Sequence, residues 1–250
     1  DNARGEYIAI QGAGDISFPN RLSQQYFLLT QRPDIVAVGC MREKTLVGGL
    51  ADGKRISPPF QQKQVWTKTD LTSVQIPFGH GEIMFRKVVY DRVGGYRDYF
   101  KYAQDRDLWP RMAEYGDFFI IHQVLYSSRI FLIDGVSANP QKMILQQQLL
   151  FFAVQCVEAR DLYGFDFVDL YGNHAGLFNK SSKNLISYLS KAALKHLIYG
   201  NNRSAILLAD LSIRQRLSIQ GIVSLCLVRI ALFSPLLKKL ITMLLSMKKI

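Results

Sequence analysis

Tyr7-Ile8-Ala9-Ile10 runs into Gln11-Gly12-Ala13-Gly14-Asp15, and the reading of this stretch decides the fold. Four apolar residues ending in a loop with two glycines predict a short buried strand. Pro19 to Thr30 follows with helical spacing. Leu22, Tyr26 and Leu29 fall on one face, and Pro19 sits near the start, where a missing N–H costs little. Pro33 ends the helix, and Ile35-Val36-Ala37-Val38-Gly39 is a second apolar strand. Strand, loop, helix and strand in that order predict an α/β domain with a mainly parallel sheet flanked by helices.

Outward from there, residues 42–75 are polar and mixed, with Gly48-Gly49, Asp52-Gly53 and Pro58-Pro59, and read as a hairpin plus an irregular excursion. Gly81 to Arg86 reads as a strand in which Ile83 and Phe85 alternate with Glu82, Met84 and Arg86. Val88 to Val93 reads as a short helix closed by Gly94-Gly95, and Leu108 to Tyr115 as a helix ended by Gly116. Phe118 to Val124 is an apolar strand, and Lys142 to Tyr163 a long amphipathic helix with Gln146-Gln147-Gln148 near its start. A boundary in the polar stretch 173–182 divides the chain into residues 1–178 and a helical appendage, 179–250. The appendage opens with an αα-hairpin, Leu185–Tyr199 and Ala205–Leu217, joined by Gly200-Asn201-Asn202.

Charge follows the same division. Residues 181–250 hold 11 of the 31 Lys and Arg residues but one acid, Asp210, so they carry +10 of the net +11. A nearly neutral body argues against nucleic-acid binding, which needs a basic face of its own. The apolar stretch Ile219–Met247 is broken by Arg229, Pro235 and Lys238-Lys239, and its longest charge-free run before Arg229, Leu217–Val228, is too short to span a bilayer. Leucine-rich helices with excess positive charge predict contact of 219–250 with an anionic membrane surface or a partner; a solvated face on a packed appendage is the other reading. Cys40, Cys156 and Cys226 show neither paired nor metal spacing and fit buried thiols in a reducing compartment. The polar start, Asp1-Asn2-Ala3-Arg4-Gly5-Glu6, does not read as a signal peptide, so a cytoplasmic location, peripheral on the inner membrane face, is expected.

Three segments then carry chemistry. The first is Ala3-Arg4-Gly5-Glu6-Tyr7-Ile8-Ala9 with Asp15-Ile16 and Pro19-Asn20-Arg21-Leu22. The second is His80-Gly81-Glu82-Ile83-Met84-Phe85-Arg86-Lys87 with Val93-Gly94-Gly95-Tyr96-Arg97. The third is Ala103-Gln104-Asp105-Arg106-Asp107-Leu108-Trp109-Pro110-Arg111-Met112, trailed by Val124-Leu125-Tyr126 and Arg129. In this order and spacing the chain resembles family 2 nucleotide-sugar glycosyltransferases of the GT-A fold over roughly residues 3–165.

The resemblance implies transfer of a sugar from a nucleotide-diphosphate donor to an acceptor hydroxyl of a glycan or lipid-linked glycan, with inversion. It makes Asp105 the catalytic base, places Asp15 and Arg129 at the donor diphosphate, and places His80, Gly81 and Trp109 at the acceptor or sugar. It further implies a divalent cation, Mg or Mn, on the diphosphate. Here Gly12 and Gly14 stand where the family carries its Asp pair, which leaves Asp15 as the nearby carboxylate. The family's nucleotide-binding strands precede the first segment, so a fragment, or a non-catalytic binding or scaffold module, is the alternative. Each residue also has a structural reading. Asp105 and Asp15 can cap helices, His80 can be a satisfied loop residue, Trp109 can be core, Arg129 can form a surface ion pair, and Gly94-Gly95 can be a turn. Pro110 is cheapest in a first helical turn, which makes Asp107 the expected cap and frees Asp105.

Overall fold

The structure, a computed structural model, describes residues 2–48, 52–57, 62–72, 76, 78–131 and 140–247. It contains two compact units, Asp1–Leu177 and Phe178–Ile250. In the first unit β1 (Tyr7–Ala9) leads through β2 (Ile16–Ser17) and α1 (Arg21–Gln31) to the long β3 (Ile35–Val47). Then come β4 (Arg55–Ile56), β5 (Val65–Trp66), α2 (Lys68–Leu71), β6 (Met84–Arg86) and α3 (Lys87–Arg92). The unit continues with α4 (Gln104–Met112), β7 (Asp117–Phe131), α5 (Pro140–Tyr163) and α6 (Phe167–Tyr171). Among the described residues the second unit has four helices: α7 (Lys183–Ile198), α8 (Asn202–Gln215), α9 (Ile219–Phe233) and α10 (Pro235–Met247).

The described strands make one seven-stranded sheet in the order β1-β6-β3-β7-β2, with β4 added to β3 and β5 to β7. The mainly parallel sheet expected from the sequence is in fact mixed. β3 and β7 pair in parallel from Ile35↔Asp117 to Val47↔Phe131, and every other ladder is antiparallel. The reason is insertion. The β1-α1-β3 crossover does keep β1 and β3 in one direction, but β6 enters between them and pairs with both. The hairpin expected near Asp52-Gly53 is β3-β4, with Lys44 opposite Ile56; Gly49, Pro58 and Pro59 lie outside the described residues. Gly94 and Gly95 close α3 with φ of 75° and 66°, the turn expected of them.

Three local expectations are corrected. The face of α1 that meets the sheet carries Arg21, Gln25 and Leu29, not Leu22 and Tyr26, which are exposed. Carbonyls at strand ends decide this. Arg21 donates to Gly81 O (2.7 Å) and Ile10 O (3.0 Å), and Gln25 to Val38 O (2.8 Å) and Glu82 O (2.7 Å). Leaving such groups without donors costs about 1–3 kcal/mol each. Next, Ile83, Met84 and Phe85 are all buried, because β6 has strands on both sides and is covered on both faces, so no alternation appears. Finally, α4 begins at Gln104, four residues before the expected start, which puts Pro110 inside the helix. Its core cluster takes Leu108, Trp109 and Met112 against Val36, Phe85 and Phe118, and this burial outweighs the one backbone bond that proline forfeits.

Candidate functional site

Two clusters of the singled-out residues form, joined by the loop Gly79–Glu82. The first surrounds Asp15. Its Oδ1 accepts from the backbone N–H of Arg129 (2.8 Å), and its Oδ2 from the Tyr126 hydroxyl (2.8 Å). That hydroxyl accepts in turn from the Gly12 N–H (2.9 Å). Burial foremost, with the Asp15 charge beside it, pushes the Tyr126 phenol up, which keeps it a proton donor. The Arg21 guanidinium covers the Tyr126 ring at 5.0 Å. Asp15 is therefore neither the cap of α1, whose N-terminal neighbour is Asn20, nor a free carboxylate. The Arg129 side chain is exposed beside Gly14, where a Cβ would lie 3.8 Å from its Cδ.

Divalent cations need several oxygen donors. Among the described residues no three of His, Cys, Asp and Glu gather as a metal group, and both oxygens of Asp15 are engaged. This donor set does not fit a cation held by protein ligands alone.

Gly81 belongs to the same cluster for a packing reason. A Cβ there would meet the Tyr126 hydroxyl at 2.3 Å and ring carbon Cζ at 2.8 Å. The residue leaves room for Tyr126, and its carbonyl serves Arg21. Gly81→Ala is expected to destabilise the first unit by about 1–3 kcal/mol. Thermal unfolding would show a lowered Tm, partly restored when Tyr126→Phe removes the colliding hydroxyl. No restoration would locate the strain elsewhere.

The second cluster surrounds Asp105 in the first turn of α4. Ala103 occupies the cap position without a side-chain bond, and Asp105 Oδ1 accepts from the N–H of Arg106 (2.9 Å). Asp105 lines a cavity of about 220 Å³ with Phe78, Tyr102, Gln146 and Gln147. Its charge is felt by His80, Glu82 and Tyr96. His80 shares a hydrogen bond between Nε2 and the Tyr96 hydroxyl (2.6 Å) and lines a second cavity, of about 450 Å³, with Tyr96, Arg97, Asp98, Lys101 and Gln104. Two cavities thus open on either side of the Gln104-Asp105 start of α4, one holding a carboxylate and amides, the other an imidazole with Arg and Lys.

Burial lowers the His80 pKa from its ordinary 6.5, and the Asp105 charge offsets this only in part. The folded state therefore binds fewer protons at this ring than the unfolded chain does. His80's share of stability is complete above pH 6.5 and drains away as pH falls from there through the lowered folded value. Urea unfolding at about pH 7.5 and about pH 5.5 should show a larger loss for the native protein than for His80→Gln. Equal losses would contradict it.

Trp109 is fully buried against Phe85, Phe118 and His80, with ring centroids 5.7–5.9 Å apart. It is core, and the sugar stacking expected of it is replaced by packing under His80. Asp107 is not a cap either. It is buried and accepts from Arg97 Nε (3.1 Å), Arg97 Nη2 and Arg111 Nη2 (2.6 Å). Arg97 also reaches Asp166 (2.9 Å) and Asp169 (2.9 Å), and Arg160 pairs with Asp166 as well. Asp166 at the same time caps α6, accepting from Val168 N (2.8 Å) and Asp169 N (2.9 Å). This lattice fixes the base of α4, and so the direction in which Asp105 faces.

Sequence reasoning missed Glu82, Tyr126 and Arg97 as site-forming residues. Glu82 is fully buried; burial pushes its carboxyl up, while Arg42 at 3.4 Å and the Gly79 N–H at 2.6 Å hold it in place. An acid directly before the apolar run Ile83-Met84-Phe85 was the available signal.

No family profile matches this chain. It is 34% identical over 117 residues to EpsE of Bacillus subtilis, named a glycosyltransferase, over 46% of this chain and 40% of that protein. It is 26% identical over 137 residues to an uncharacterized glycosyltransferase of Rickettsia typhi, over 52% of this chain and 41% of that protein. Among solved structures, residues 1–349 of S. aureus TarS align over 91% of this chain and 66% of that one, at 11% identity and a TM-score of 0.39, too loose a likeness to carry weight. The chain spans about two fifths of the length of the curated relatives it matches, and over that stretch it is similar to proteins named glycosyltransferases.

Proposed function

We propose that this chain carries the acceptor side of an inverting glycosyltransferase of family 2 and GT-A type. It moves a sugar from a nucleotide-diphosphate donor to a hydroxyl of a glycan or lipid-linked glycan. The observation that carries the reading is the placement of Asp105. It stands on the rigid first turn of α4, at a cavity lined by amides and aromatic rings, on a helix anchored by Asp107 and Trp109.

In the step envisaged, the acceptor oxygen bonds to the anomeric carbon as the bond from that carbon to the diphosphate oxygen breaks. The hydroxyl proton passes to an Asp105 carboxylate oxygen. The electron pair leaves with the diphosphate, whose charge the guanidinium of Arg129, exposed in the fold, would meet. Neutral His80 lines the neighbouring cavity and can donate or accept one hydrogen bond to a sugar hydroxyl.

One observation favours a second reading, a non-catalytic glycan-binding or scaffold module: each Asp15 oxygen already accepts a hydrogen bond within the fold, from Tyr126 or Arg129. Sugar transfer by the full-length protein, compared with its Asp105→Asn variant across a panel of nucleotide-diphosphate sugars, separates the two. Equal rates in both proteins, or no transfer alongside intact glycan binding, would sink the first.

A further inference from the structure

One helix of the second unit, α9, is sided in an unusual way. α9 turns its small residues inward: Gly221, Ser224 and Ala231 are buried, together with Val228. Its bulky residues Ile219, Ile222, Val223, Ile230 and Phe233, with Cys226 between them, fall on the opposite side of the helix and are exposed, Ile219 at 83% and Phe233 at 91%. α10, beyond the break at Ser234-Pro235, also leaves bulky residues outward. Leu245 is buried, while Leu236, Leu240, Met243 and Leu244 form a second exposed stripe, Leu236 at 79%. A helix facing water buries its large side chains and exposes polar ones. Small residues at the packed seam with large ones outward is the arrangement for an apolar surrounding medium.

Charge identifies the medium. In the second unit the acid is Asp210, and Arg214 holds its carboxylate at 2.6 Å. Exposed cations border the stripes: Arg229 on α9 and Lys239 on α10. Length identifies the depth. α9 has 15 residues, about 22 Å of helix, against the roughly 30 Å of a bilayer's hydrocarbon core. No described helix is long and apolar enough to cross a membrane. We propose that the exposed faces of α9 and α10 lie flat on an anionic lipid bilayer, their bulky side chains set into the headgroup boundary and Arg229 and Lys239 against lipid phosphates. An acidic protein partner would supply the charge but not so broad an apolar face, and a second copy of this chain would oppose like charges.

The test is co-sedimentation of the 250-residue chain with phosphatidylcholine vesicles, with and without phosphatidylglycerol. Binding is expected to the anionic vesicles, weakening as salt rises. The double variant Arg229→Gln/Lys239→Gln should weaken it about thirtyfold. The variant Phe233→Glu/Leu236→Glu/Leu240→Glu should abolish it, with circular dichroism unchanged because those positions are exposed. Absence of binding, or binding indifferent to the apolar variant, overturns the proposal. So does a dimer in lipid-free buffer that the same variant dissociates, since a second copy would then cover the face. No sugar enters the assay, and Asp105→Asn should bind vesicles like the native chain, so failure here and failure of the transferase reading are told apart.

Discussion

Asp105→Asn in the full-length protein is expected to lower kcat by about a hundredfold to ten-thousandfold, the range lost when a positioned general base is removed. The amide matches the carboxylate in size and keeps an oxygen for the Arg106 N–H that Oδ1 now accepts at 2.9 Å. The start of α4 should therefore hold its shape. What disappears is the site that takes the acceptor proton. KM should move little, because the change removes an interaction that strengthens only as the proton transfers. Rates of transfer from a nucleotide-diphosphate sugar, with circular dichroism as the folding check, decide it. A kcat within twofold or so of the native value would remove Asp105 from the mechanism.

Asp107→Ala, two residues along, is expected to act on stability instead. The carboxylate is almost fully buried and holds two guanidiniums. Arg97 keeps Asp166 and Asp169 after the change. Arg111 is left with the carbonyls of Val93 (2.6 Å) and Gly95 (2.8 Å) and no counter-charge, in a site that already lowers its pKa by burial. Removing one partner of such a buried pair costs about 3–5 kcal/mol. For a unit of this size that is about 10 °C in Tm. A calorimetric scan reads it directly. If the loss is no larger than that of an exposed pair such as Asp210→Ala, the lattice is not what anchors α4.

The contrast between these neighbours shows where the sequence can be read and where it cannot. The β1-α1-β3 crossover was legible because its strands are apolar and prolines mark the helix at both ends. The start of α4 was not, since Gln104-Asp105-Arg106-Asp107 looks like a loop until Arg97 and Arg111 are known to sit beside Asp107. The i, i+4 spacing of Asp107 and Arg111 was the local hint. α1 misled for a related reason. Hydrophobic periodicity assumes that apolar residues face inward, and Arg21 and Gln25 face inward because strand-end carbonyls need donors. At the site, Asp105 was legible from its segment. The hold on Asp15 was not, because Tyr126 lies 111 residues away inside an apolar strand and only the folded sheet brings its hydroxyl across. Trp109 could be read either as core or as a sugar platform, and burial decides for core.

The crowding around the Tyr126 hydroxyl also limits how this sequence can change. A Cβ at position 12 would sit 2.3 Å from Asp15 Oδ2 and 3.3 Å from the Tyr126 oxygen. An acid cannot enter there while Asp15 keeps its present pose. It would need the Asp15 side chain to turn away, and the bond Asp15 accepts from the Arg129 N–H would go with it. Position 12 is held as glycine by the geometry of its neighbours.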